Sequence, residues 1–363
     1  MHSPPPAAPL VALLLLVACE PAPATPPAAR PASSPIPAVT PPTAAVVMPG
    51  ELKVFGDWAV GCDNTRLCQM ASLLANDGLP GSATMALLRQ PGGVGEVDLS
   101  FNVIGDAPPV SATAVAIDGR RTSLAALNGS AAMAVARAMA GGHTLSVLDG
   151  SRVRTRLSLT GASAAFRWID AQQGRAGTVT ALVARGSRGA DTVPAAGPAP
   201  VIHAAIATAT AASPTAAQLA SMHRQAGCDR AATNGTYGAP EYHGLGGGAT
   251  LVVLPCSAGA YNLSSALFVL RDGRMAPAQT DAPIGFDASG AAGTDRLPSV
   301  VNGRWQDGEL TSDAKGRGLG DCGVHQTFVW DGTRLRLSEQ SEMRECRGNP
   351  DFITTWRAQV VRG

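Results

Sequence analysis

The chain has 363 residues, with 28 basic against 27 acidic groups, and a formal charge of +1 gives no field to steer nucleic acid or acidic partners. Aromatic residues make up only 4%, too few for an extended base- or sugar-stacking platform. The 41 glycines and 28 prolines favour many turns and short strands over long helices.

Leu10 to Ala18 is uniformly apolar. It is too short to span a bilayer, which takes about 20 residues, but it fits the apolar region of a signal peptide. It ends in Leu16-Val17-Ala18-Cys19, which resembles the lipobox of bacterial lipoproteins. That resemblance implies a signal peptide over 1–19 and a lipid on Cys19, which becomes the mature N-terminus. In that system an Asp after the cysteine favours inner-membrane retention, so Glu20 implies the outer membrane. The first nine residues carry no Lys or Arg, unlike most signal peptides, and plain secretion with cleavage after Ala22-Pro23-Ala24 is the alternative. Residues 20–50 contain ten prolines among Ala, Thr and Ser, a composition that cannot bury a core and reads as an extended tether.

A first β-rich region with two helices is expected over 51–188. Val54, Trp58 and Val60 share one face at period two, and Val97, Leu99, Phe101 and Val103 alternate with Asp98, Ser100 and Asn102 as a half-buried strand. Ala112 to Ile117 leads into the hairpin dipeptide Asp118-Gly119. Ser130 is the expected cap of a helix burying Ala132, Val135, Ala136 and Met139. Val153, Thr155, Leu157 and Leu159 alternate with Arg152, Arg154, Arg156 and Ser158, and a second helix over Ala162 to Gln173 would bury Phe166 and Ile169.

A low-complexity stretch at 189–213 reads as a linker, although Val201 to Ala212 could equally be strand. The second region, 214–363, opens with a helix from Pro214 to Ala226, with Pro at its start. An antiparallel meander follows: Ala249 to Leu254, Leu263 to Arg271, Trp305 to Thr311, Thr327 to Trp330, Arg334 to Ser338 and Phe352 to Val361. Asp272-Gly273, Asp307-Gly308 and Asp331-Gly332 are its turn dipeptides, and the first and last look like one hairpin design used twice. The five tryptophans, Trp58, Trp168, Trp305, Trp330 and Trp356, fit core anchors better than an exposed ligand cage.

Cys62, Cys68, Cys228, Cys256, Cys322 and Cys346 form an even set, which in an exported chain reads as a disulfide framework. Cys62 and Cys68 bracket a polar turn, Cys322 and Cys346 flank a hairpin, and Cys228 and Cys256 remain as the third pair. Zinc is disfavoured because there is no C-x-x-C and no His at finger-like spacing. Cys322 with His325, near Cys346, would make a cysteine–histidine nucleophile only with a free thiolate, and both cysteines are expected to be bridged. Gly244 to Gly248 precedes a strand and is no phosphate cradle, and no G-x-S-x-G elbow occurs. Arg152, Arg154 and Arg156, about 7 Å apart on one strand face, read either as a solvated face or as a small-anion or lipid-headgroup contact.

Phe55-Gly56-Asp57-Trp58-x-Val60-x-Cys62-Asp63-Asn64 with Cys68, Gly316 to Gly323, Phe328 to Gly332, Glu339 to Gly348 and Thr354 to Arg357 resemble the bacterial exported proteins labelled domain of unknown function 1176. That resemblance covers about 51–363. The opening block is also similar to the invasion-associated locus B family of small periplasmic proteins. Both resemblances imply export and disulfides, and neither carries over a catalytic residue.

The expectation is a mainly β (α+β) protein of two disulfide-stapled regions. It is expected to be a non-catalytic envelope lipoprotein facing the periplasm and binding a partner or envelope component. The alternative is an envelope hydrolase whose site is assembled from distant residues. No cofactor, metal or nucleic acid is expected. The expected partners are the membrane, through the lipid, and an envelope protein or anionic lipid. Oligomeric state stays open.

Overall fold

In the computed structural model, residues 47–75, 82–103, 112–124, 127–289 and 297–363 are described. The signal segment, Cys19 and residues 20–46 of the expected tether lie outside them. Val47 and Gly50, the end of that tether, already bond the fold, their N–H groups donating to Asp281 O and Thr355 O at 2.8 Å.

Gly56 splits the opening block. Its positive φ of 56° turns the chain between β1 (Leu52–Phe55) and β2 (Trp58–Cys62), so this is a hairpin and not one strand. The expected shared face fails there: Val54, opposite Ala59, is 41% exposed, while Trp58 and Val60 are buried. Adding β3 (Cys68–Ser72), β4 (Ala83–Arg89) and β5 (Val97–Val103) gives an antiparallel sheet in chain order. A second sheet, β7-β6-β8-β9, is built from β6 (Ala114–Ile117), β7 (Arg120–Ser123), β8 (Thr144–Asp149) and β9 (Arg152–Ser158).

Helix α1 (Gly129–Met139) buries Ala132, Val135, Ala136 and Met139, the expected face, but its N-cap is Asn128 and not Ser130. Helix α2 (Ala162–Gln172) buries Phe166 and Ile169 and starts from Gly161 at φ 90°. Both helices and both sheets share one apolar core around Trp58, Met85, Leu145 and Phe166. The Trp58 indole N–H is satisfied by Ser158 O at 3.0 Å.

Part of the expected linker is strand: β10 (Val201–Ala204) runs parallel to β21 (Gln359–Arg362). Helix α3 (Ala216–Ala226) starts two residues later than expected. Thr215 is the cap, with Gln218 completing a capping box, and Pro214 stands outside the helix. A short helix, α4 (Arg230–Thr233), follows with Asp229 as its cap.

The third sheet orders β11 (Glu241–Gly246), β12 (Ala249–Ala258), β13 (Leu263–Arg271) and β14 (Arg274–Pro277), with β15 (Ser299–Val301) also on β13. The fourth runs β16 (Arg304–Gln306), β17 (Glu309–Lys315), β18 (Gly323–Trp330), β19 (Leu335–Met343) and β20 (Ile353–Arg357). Leu251, Leu267, Leu310, Phe328 and Leu337 form the core between these two sheets, and α3 covers the other face of β12 through Met222.

Asp307-Gly308 turns inside the expected strand Trp305 to Thr311, and Ala358 interrupts the expected strand Phe352 to Val361. The two look-alike hairpins also differ. Asp272 and Gly273 both have positive φ and join Arg271 to Arg274 tightly, whereas Asp331 Oδ1 folds a longer loop by accepting from Thr333 N and Arg334 N.

Cys62–Cys68 joins paired residues of β2 and β3, Cys228–Cys256 ties the end of α3 to β12, and Cys322–Cys346 links the segments flanking β18 and β19. These bridges mark an oxidising, extracytoplasmic environment. Leu52 and Ala59 of the first sheet and Leu73 just after β3 share a cluster with Cys322, Met343 and Ile353, and Ala44–Gly363 forms one compact unit. Among the described residues, no helix is long and apolar enough to cross a membrane.

Candidate functional site

Register on the fourth sheet assembles a polar row. Asp313 on β17 lies directly opposite His325 on β18, and His325 lies opposite Ser341 on β19. Directly opposed residues of an antiparallel pair project to the same face, with Cβ atoms about 4.5–5.5 Å apart. All three line a cleft of ≈ 430 Å³, with Arg304, Lys315, Gly320, Cys322 and Phe352 among its other walls.

The rim is fixed by charge-assisted bonds. The Arg317 guanidinium forks onto Asp321 at 2.7 and 2.6 Å, and Asp321 Oδ2 accepts from Gly348 N at 2.6 Å. Burial works against the Asp321 charge, but these donors hold its carboxyl below the usual carboxylate range. Gly316 lies over the Cys322–Cys346 bridge so closely that a Cβ would meet Cys322 Sγ at 2.7 Å. Asn302 Nδ2 donates to Asp313 O and to Asn262 Oδ1, both at 2.9 Å, which pins the β17 backbone behind the carboxylate.

His325 Nδ1 is paired with Asp313 Oδ1. That bond raises the imidazole pKa; burial opposes it, and the charges of Asp313 and Glu339 add to the rise. Among the described residues, His325 Nε2, the Ser341 hydroxyl, Lys315 Nζ and the Arg304 guanidinium have no bonded partner. The cleft therefore combines a base or acid, a hydroxyl, two cations and an apolar wall at Phe352.

The cysteine–histidine pairing weighed from sequence does not form. Cys322 is bridged to Cys346, and His325 is flanked in register by Asp313 and Ser341. Asp313 and Ser341 escaped the sequence reading because both lie beyond the expected strand ends, Thr311 and Ser338. His325 likewise precedes its expected strand, Thr327 to Trp330, and only the cross-strand register brings the three together.

Arg152, Arg154 and Arg156 lie on β9 of the second sheet, away from this row, and do not share one regular strand face. A bulge opposite Val147 and Leu148 leaves Arg154 out of the pairing, and Arg152 then opposes Asp149 while Arg156 opposes Ser146. A bulge breaks period-two alternation, which the expected face required. Arg152 and Arg156 are exposed and Arg154 is half-buried.

Elsewhere two imidazoles make local contacts, His243 stacking on Trp305 at 5.5 Å and His143 meeting Asp118 at 3.4 Å, while His223 Nδ1 is buried without a partner among the described residues. Among the described residues, no three His, Cys, Asp or Glu side chains group to hold a metal. A larger hollow of ≈ 660 Å³ contains Arg271, Arg274 and Trp330 but no paired acid and base comparable to His325 and Asp313.

A family model described as protein of unknown function (DUF1176) matches residues 52–359. The "Uncharacterized protein YpfG" of Escherichia coli (strain K12) is 26% identical over 343 residues, covering 87% of this chain and 95% of that relative. No solved structure matches.

Proposed function

This chain belongs to the DUF1176 family of proteins of unknown function, and from that membership we propose an exported cell-envelope lipoprotein that binds a partner or envelope component at the cleft beside His325. In this reading the mature protein starts at a lipidated Cys19, sits on the outer membrane facing the periplasm, and uses residues 20–46 as a spacer. The observation that carries it is the bonding state of the cysteines: all six between Cys62 and Cys346 are paired in disulfides. The unpartnered cations of the cleft and the exposed Arg152 and Arg156 favour an anionic partner.

Mass spectrometry of the mature native protein tests this reading. Diacylglycerol on Cys19 and six blocked thiols are expected. A chain that keeps Met1 and carries six reduced thiols overturns the reading, and an unlipidated mature end after Ala24 leaves plain secretion in its place. Replacing Arg152, Arg154 and Arg156 together by Ser is expected to weaken binding to vesicles containing anionic lipid; unchanged binding removes the headgroup contact.

An envelope hydrolase is the second reading, and one observation favours it: the cross-strand row of Asp313, His325 and Ser341.

A further inference from the structure

We propose that Ser341, His325 and Asp313 form a nucleophile relay for acyl transfer from carboxylic esters, with Ser341 as the attacking group. The inference goes beyond binding, and the envelope reading stands or falls separately.

Three features carry it. First, the residue order across β17, β18 and β19 is carboxylate, imidazole, hydroxyl, each directly opposite the next. This is the order that a serine nucleophile, its base and the group orienting that base require. Second, the carboxylate holds Nδ1 of His325. The two ring nitrogens point to opposite sides of an imidazole, so an Nδ1 turned to β17 leaves Nε2 on the side away from Asp313, where Ser341 follows in the row. Third, the Ser341 hydroxyl bonds nothing among the described residues and is not one of the sealed orphan polar atoms, so it is open to the cleft that the residue lines, whereas its neighbour Gln340 is bonded to both Gln326 and Thr355. The frame is stiff: the Cys322–Cys346 bridge, the Asn302–Asp313 bond and the ladder on both sides of β18 fix all three positions.

The chemistry balances within the site and water. Ser341 Oγ attacks the ester carbonyl, His325 Nε2 takes the hydroxyl proton, and the C–O bond to the alcohol breaks as that proton is delivered to the leaving alkoxide. Water then attacks the acyl-serine with Nε2 again as base, releasing a carboxylate and restoring Ser341. Lys315 and Arg304 bring positive charge to the cleft in which the oxyanion forms, and Phe352 offers an apolar wall for the acyl group. Asp313 is a positioning residue and acts through His325.

The test uses the mature protein with its disulfides intact and a short-chain alkyl fluorophosphonate, whose P–F bond is broken by an activated serine with loss of fluoride. One adduct, mapped to Ser341 by peptide mass spectrometry, is expected. Ser341→Ala should carry none while keeping its melting temperature and three disulfides. His325→Gln should slow labelling on the order of 100-fold or more. Labelling should rise with pH as His325 loses its proton under the combined influence of Asp313, Glu339, Lys315 and Arg304. Asp313→Asn should lower both the rate and the midpoint of that profile. No adduct on Ser341 across roughly pH 6 to 9 in folded protein overturns the relay, and so does equal labelling in His325→Gln. A lipidated, fully bridged protein without an adduct loses only the relay; an adduct on a protein with reduced thiols and an unprocessed end loses only the envelope reading.

Discussion

Asn64 and Arg357 exchange two hydrogen bonds across 293 positions of sequence: Asn64 Nδ2 donates to Arg357 O at 3.0 Å, and Arg357 N donates to Asn64 Oδ1 at 2.9 Å. The Arg357 guanidinium also pairs with Asp63, whose side chain is fully buried and accepts from Thr65 N at 2.8 Å and Leu67 N at 3.1 Å. Nearby, Arg347 donates to Asp57 Oδ1 at 2.7 Å, and Thr354 N donates to Gln69 Oε1 at 2.7 Å. The opening FGDWxVxCDN block and the closing TTWR block are thus two halves of one clasp.

Removing the Arg357 side chain should be costly because it takes the cation from the buried Asp63 Oδ2, while Oδ1 keeps its bonds to Thr65 and Leu67. Arg357→Ala is expected to destabilise by about 1–3 kcal/mol. Arg357→Lys should recover only part of this, since an ammonium lacks the guanidinium fork. Urea denaturation of the three proteins measures it, and equal midpoints for Arg357→Ala and the parent would show that Asp63 does not depend on the pair.

The His325–Asp313 pair makes stability depend on pH in a defined direction. The folded pKa of His325 lies above its ordinary 6.5, with the Asp313 hydrogen bond as the main cause. The folded state therefore binds the proton more tightly than the unfolded chain. This contribution is complete below 6.5 and is lost as pH rises through the folded value. Melting temperature should fall over that window in the parent and fall less in Asp313→Asn. Parallel curves would remove the linkage.

Loop length ranks the disulfides. The Cys228–Cys256 bridge closes a separation of 28 and Cys62–Cys68 one of only 6, so replacing the first pair by Ser should cost about 1 kcal/mol more on the loop-entropy model. Removing Cys228–Cys256 also frees the end of α3, which buries only Met222. Hydrogen exchange should speed up in α3 before it does in β12 and β13. Uniform exchange across all three would contradict this.

Gly161 should not tolerate a side chain. It starts α2 at φ 90°, and a Cβ there would run into the Phe55 carbonyl and meet Gly56 N at 2.8 Å. Gly161→Ala is expected to cost more than about 1 kcal/mol. The denaturation midpoint should drop with an unchanged slope.

Much of this architecture is readable from local signals. Strict alternation marks β5, Asp-Gly dipeptides mark three tight turns, apolar spacing picks the buried faces of α1 and α2, and short separations suggest the cysteine pairs. What escapes is decided by partners far along the chain. The bulge in β9 scatters three arginines that alternation alone would align. β4 places a fully buried Arg89 in line with Ala83, Met85 and Leu87, received by Met133 Sδ and Thr180 O instead of solvent, and it buries Thr84 between two of those positions as well. The Asp313–His325–Ser341 row exists only in the register between three strands, and no spacing along the chain encodes it.

The parallel pairing of β10 with β21 ties a mid-chain strand to the last one, and Ile353, clustered with Leu52 and Ala59, ties the earliest strands to β20. A polypeptide emerging from its N-terminal end can pair β1 to β5, but the apolar residues of that sheet that pack on Ile353, and the β10 strand, wait for residues beyond 350 to dock. Closing such distant pairs makes for slow folding. During that interval the strand edges and apolar faces awaiting residues 353–362 are open to mispairing. An assisting chaperone would find its longest-lived client surface there.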